Sequence, residues 1–95
     1  MLLLSVAPEI VGVKGRDGIP NFDYTVYVDC TVRNNGRAGN IEVIADLTGG
    51  GQWRKRSTVY VDKNQERLVT ITFQEAELFG GGFEGFKYQC SARAL

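Results

Sequence analysis

Histidine is absent from this 95-residue chain, and cysteine and proline occur twice each. Without an imidazole the sequence lacks the side chain that most often serves as a general base or metal ligand near neutral pH. The two cysteines, Cys30 and Cys90, are too far apart for a Cys-x-x-Cys redox motif or the common zinc spacings. No Gly-x-Ser-x-Gly elbow occurs, and the glycine-rich run GGGQWRK lacks the Lys-Ser/Thr ending of a phosphate-binding loop. Glu75 and Glu77, the nearest approach to an acid/base pair, project away from each other on a helical turn. The expectation is a non-catalytic protein with no cofactor and no metal.

Net charge is also missing. Eleven basic residues balance eleven acidic ones, so no overall field draws the chain to nucleic acid or anionic membrane, and any charged partner is met by a local patch. No apolar stretch reaches the roughly 18 residues of a membrane helix. The N-terminal MLLLSVAPEI has three leucines but no basic region ahead of them and no sustained apolar run, so it does not read as a signal peptide. A piece of a longer exported protein would look the same, and for such a piece the expected location is extracytoplasmic, at the cell envelope.

What is present is glycine, twelve residues of it, and alternation. The length suits one domain, residues 1–95, expected to be monomeric in isolation. In DYTVYVDCTVR, residues 23–33, Val26, Val28, Cys30 and Val32 fall on one face and Thr25, Tyr27, Asp29, Thr31 and Arg33 on the other. Period two of this kind is a strand with one face buried. NIEVIADLT repeats it with Ile41, Val43, Ala45 and Leu47, LVTITF with Val69, Ile71 and Phe73, and FKYQCSARA with Phe86, Tyr88, Cys90, Ala92 and Ala94. QWRKRSTVYVD alternates less cleanly, with Val59 and Val61 inward and a basic cluster at its start, as an edge strand tolerates. Upstream, LLLSV and EIVGVK read as two short strands split by Pro8, which cannot donate to a ladder. VRNNGRAGN, residues 32–40, lies between two alternating runs and reads as a turn, with Asn and Gly supplying positive φ. Only QEAELF, residues 74–79, reads as helical, a single turn stopped by Gly80. The predicted fold is all-β, an immunoglobulin-like antiparallel β-sandwich of about seven strands with one short helical turn; a small closed barrel is the alternative.

The strand ending in Val32-Arg33-Asn34-Asn35-Gly36, the run Ile41 to Leu47, Val59 to Asp62, Val69 to Phe73 and an aromatic-rich closing strand together resemble the prokaryotic immunoglobulin-like accessory domains of the CARDB and FxLYD kind over residues 23–94. Tyr88-Gln89-Cys90 also resembles the Tyr-x-Cys of antibody-type domains, with Cys30 in the place of the first cysteine. Trp53 lies outside the second strand, so the core tryptophan of true antibody domains is missing. The accessory-domain resemblance implies a non-catalytic module that spaces other domains or contacts proteins and surface polysaccharides.

Four features are candidates for chemistry or contact. Cys30 and Cys90 are in phase with the apolar sets of their strands, so both thiols face the core, either as a bridge or as two buried free cysteines. Trp53-Arg54-Lys55-Arg56 is the basic run; Arg54 and Arg56 share a face and Lys55 opposes them. As a phosphate-contacting surface with an aromatic for stacking it offers the alternative function, polyanion or single-stranded nucleic-acid binding, although nucleic acid is the less expected partner. In LFGGGFEGF, Phe79 and Phe86 read as core and Phe83 as the exposed partner contact. Asp17, Asn21 and Asp23 are oxygen donors, but their spacing departs from the EF-hand loop, and Asp17-Gly18 reads as a turn.

Overall fold

The computed structural model describes residues 5–76 and 82–95. Six strands form two antiparallel sheets. β1 (Pro8–Gly18) and β2 (Thr25–Asn34) make a hairpin through a 3₁₀ turn at Pro20–Phe22; β3 (Gly39–Thr48) and β4 (Gln52–Val61) make a second; β5 (Glu66–Phe73) returns to β2, and β6 (Lys87–Ala94) returns to β3 after a 3₁₀ turn at Phe83–Gly85. The sheet orders are β1-β2-β5 and β4-β3-β6, so β2 and β3 are the central strands.

Alternation decides which residues meet between the sheets. Val26, Val28, Cys30 and Val32 of β2 and Ile41, Val43, Ala45 and Leu47 of β3 are completely buried, with Val69, Ile71 and Phe73 of β5 and Val61 of β4 beside them. Intervening residues of β2 and β3 point outward and carry the polar groups: Asp29 accepts from Arg16 Nε at 3.0 Å and from the Thr70 hydroxyl at 2.6 Å on one outer face. On the other, Glu42 accepts from Arg93 Nε at 2.7 Å.

The expected turn at residues 32–40 is present as the crossover from β2 to β3, but its chemistry differs from the expectation. None of its three asparagines and neither of its glycines has positive φ; among the described residues the non-glycine ones that do are Asn21, Phe22 and Asn64. Asn34 is instead a buried hydrogen-bonding node. Its Oδ1 accepts from the backbone N–H groups of Ala7 and Gly36, at 3.1 and 2.9 Å, while Nδ2 donates to the carbonyls of Arg37 and Val61, at 2.8 and 2.9 Å. One amide thereby joins the segment before β1, the crossover and the end of β4, and is itself fully satisfied. Gly36 is required by close approach: a Cβ there would strike the Ser5 carbonyl oxygen.

Two boundaries depart from the sequence reading. Pro8 opens β1, where the first residue of an edge strand loses nothing by lacking an N–H, and the short strand expected ahead of it, LLLSV, lies mostly outside the described residues. Asp17-Gly18 is not a turn: pairing runs on to Gly18 opposite Thr25, and the reversal falls in residues 19–24. The count among the described residues is therefore six strands against about seven expected. Of the expected helical turn at 74–79, Gln74 and Glu75 form a bend and Ala76 is buried; residues 77–79, Phe79 among them, lie outside the described residues.

Val28→Asp and Ile71→Asp are expected to abolish cooperative unfolding, because each places a carboxylate between the sheets. Thr31→Asp points outward and is expected to stay within about 1 kcal/mol of the parent. Thr70→Asp also points outward but faces Asp29, so its melting temperature falls between the two groups. Thermal melts of the four variants check the order; equal midpoints would contradict the face assignment.

Candidate functional site

Three strands of the second sheet place their outward residues in rows, because directly opposite residues in antiparallel strands share a face. Gln52, Thr48 and Lys87 make one row, Arg54, Asp46 and Gln89 the next, and Arg56, Ile44 and Ser91 the third. The first two rows enclose two adjoining concavities of about 240 and 450 Å³ that share Asp46, Thr48 and Gln89; Tyr88 borders the smaller and Trp53 the larger. The trough is polar and open, with Arg54 Nε donating to Asp46 at 2.6 Å across its floor. That hydrogen bond, opposed by partial burial and helped by the neighbouring charge, holds the Asp46 carboxyl below its ordinary range. Such a surface offers planar donors and acceptors to a polar ligand.

The basic run is split by its own alternation. β4 is an edge strand, as expected, and Trp53, Lys55, Ser57 and Val59 are half-buried on its inner side while Arg54 and Arg56 are exposed. Lys55 reaches the opposite sheet, donating to the Thr72 carbonyl at 2.9 Å and to Glu75 at 2.8 Å. With Arg54 bound to Asp46, two of the three cations are committed to carboxylates. Trp53 stands opposite Leu47 and its ring lies close to Gly51, so it flanks the trough rather than stacking above the arginines.

Cys30 of β2 and Cys90 of β6 are joined in a disulfide with α-carbons 6.0 Å apart. It ties the central strand of one sheet to the edge strand of the other. Phe83, expected to be exposed, is half-buried at the start of its 3₁₀ turn, packs against the core and lies 6.3 Å from the Phe86 ring. Its proximity to Phe86 explains the difference: a ring at this distance from the core gains more by folding back than by facing water. The fully exposed aromatic is Phe22, which sequence reasoning passed over; the signal was an Ile-Pro-Asn-Phe tetrapeptide inside an otherwise polar turn. Among the described residues, no cluster of three or more acidic or cysteine side chains is arranged to hold a metal, and no helix is long and apolar enough to cross a membrane.

The Tyr24 ring stacks 6.4 Å from Phe86, and its buried hydroxyl makes no hydrogen bond. Burial first, and the neighbouring Asp17 second, push this phenol up to about 12. No known family model matches the sequence, and neither curated proteins nor solved structures yield a match.

The Tyr24 shift has a defined consequence for stability. Because the folded value lies above the ordinary 10, the neutral phenol favours folding below that pH, and this contribution is lost as pH rises through about 12. The difference between phenolate absorbance titrations of the wild type and Tyr24→Phe is expected to centre near 12, and a difference centred near 10 would contradict the burial described.

Proposed function

We propose that this chain is an immunoglobulin-like β-sandwich serving as a non-catalytic interaction or spacer module of a larger prokaryotic protein at the cell envelope, and that its contact face is the polar trough on the β4-β3-β6 sheet. The strand orders β1-β2-β5 and β4-β3-β6 agree with the A-B-E and C′-C-F arrangement of such sandwiches, and the disulfide joins the strands that correspond to B and F. A bond of this kind persists in oxidising compartments, which supports the envelope location. The observation that carries the contact role is the pair of adjoining concavities around Asp46 and Gln89, lined by side-chain amides, a hydroxyl and a charge pair suited to the hydroxyl groups of a polysaccharide or the backbone of a protein loop. The polyanion alternative is weakened by the commitment of Arg54 and Lys55 to Asp46 and Glu75.

Calorimetric titration with a panel of surface polysaccharides and with heparin, each at low and high salt, tests this reading. It expects a polysaccharide whose affinity changes little with salt and is lost in Gln89→Ala without a change in melting temperature. Heparin binding that falls steeply with salt and depends on Arg56 would replace the reading with the polyanion one. Failure of every ligand would contradict the contact role of the trough.

A further inference from the structure

Each sheet has two edges, and three of the four are guarded. β4 and β5 face each other across one side of the sandwich, where Lys55 donates to the Thr72 carbonyl of β5 and Arg67 donates to the Tyr60 carbonyl of β4 at 3.4 Å. Side chains thus occupy backbone acceptors that another strand would use. β1 carries a bulge at Val11, where its register with β2 shifts between Ile10 and Gly12; a bulge of this kind twists an edge away from pairing.

β6 has none of these protections. It pairs with β3 over all eight residues, from Lys87 opposite Thr48 to Ala94 opposite Ile41, with no shift in register, and no described strand pairs with its other side. Its cleft-facing residues, Tyr88, Cys90 and Ala92, are uncharged. Beside it β1 touches without joining the ladder. There the apolar inventory is left partly uncovered: Val13 is 42% exposed and Tyr88 36%, although Val13 stands opposite Cys30 and so belongs to the inner face. Tyr88 lies over Gly15, where a Cβ would collide with its ring, so the cleft floor is closed at that point and open beside Val13.

The geometry points to β6 as an acceptor edge for an extended segment of a partner protein, which adds a fourth strand to the β4-β3-β6 sheet. A strand is the occupant because only a strand answers a row of unpaired N–H and C=O groups over eight residues. Every second residue of that strand lies on the cleft side, toward Val13, and is therefore apolar. The residues between lie on the outer face, where an acidic side chain complements Lys87, while Arg93 at the other end of β6 is already held by Glu42. This edge shares Lys87 and Tyr88 with the lining of the polar trough, but its ladder is made by backbone groups, so which amides become protected separates it from the contact role proposed there.

The test uses the full chain, isotopically labelled, and a synthetic eight-residue peptide alternating valine with glutamate and threonine, with a scrambled peptide of the same composition as control. Alternate amides of Lys87–Ala94 are expected to exchange about tenfold more slowly on peptide addition. Val13→Lys is expected to weaken binding by about tenfold or more, while Leu68→Lys, at a more exposed apolar position on the outer face of β5, leaves it unchanged. Protection of the β2 amides in the same spectra shows whether Val13→Lys is folded, and Val13→Thr replaces it if it is not. Equal binding of the scrambled peptide, protection on β4 instead of β6, or no protection at all overturns the proposal. So does β6 protection that grows with protein concentration in the absence of peptide, which assigns the edge to a second copy of this chain. Loss of peptide binding in Gln89→Ala with β6 amides unprotected moves the contact to the trough and leaves the interaction-module reading standing.

Discussion

The covalent tie between Cys30 and Cys90 is the constraint on which the arrangement of the two sheets rests. Facing sheets ordinarily pack about 10 Å apart; here the α-carbons of β2 and β6 approach to 6.0 Å. The approach joins the middle of one sheet to the rim of the other, so the sandwich is narrow along the β6 side. Narrowing brings Tyr88 down onto β1, which only a residue without a side chain, Gly15, can accept. The same offset leaves Val13 and the free side of β6 without a covering strand. Between the two cysteines run β3, β4 and β5, so the tie closes most of the chain into one loop.

The remaining edges are held by long polar side chains rather than by ladders. Lys55 crosses from β4 to β5, and its position 5.6 Å over the Phe73 ring lets its stem cover apolar surface while the ammonium meets Thr72 and Glu75. This placement also removes Lys55 from any external contact. A run of cations that reads in sequence as one basic patch is thus divided by strand alternation into an inner clasp and two outer arginines. Of these, Arg54 is engaged with Asp46 at the rim of the trough.

The central strands were legible in the sequence because their inner faces are dictated: Val26 to Val32 of β2 and Ile41 to Leu47 of β3 bury one side completely with apolar residues at period two, and the buried polar residues of β2, Thr25 and Asn34, fall at its ends. Edge strands were harder. β1 contains three glycines and a bulge, which break the period, and its inner face includes Gly15 and Asp17 where apolar residues would have signalled a strand. β4 was recognised as an edge by its imperfect alternation. The trough was not legible. It depends on which residues of three strands fall in the same row, and register is set by the crossovers and by Asn34, whose four hydrogen bonds reach groups as far along the chain as Val61. Phe83 was misplaced for a related reason, since its ring turns inward onto Phe86, whose own position against Tyr24 is supplied by a distant part of the chain.

The central claim, that one inter-sheet bond determines how β6 sits over β1 and β2, is most directly tested by guanidinium unfolding of the same preparation with and without a reductant strong enough to open the disulfide. A cross-link spanning a sequence separation of 60 removes enough freedom from the unfolded chain to contribute about 4 kcal/mol. The account predicts a large downward shift of the midpoint on reduction. Superimposable curves, with the two thiols modified independently in the unfolded state before any reductant is added, would contradict it.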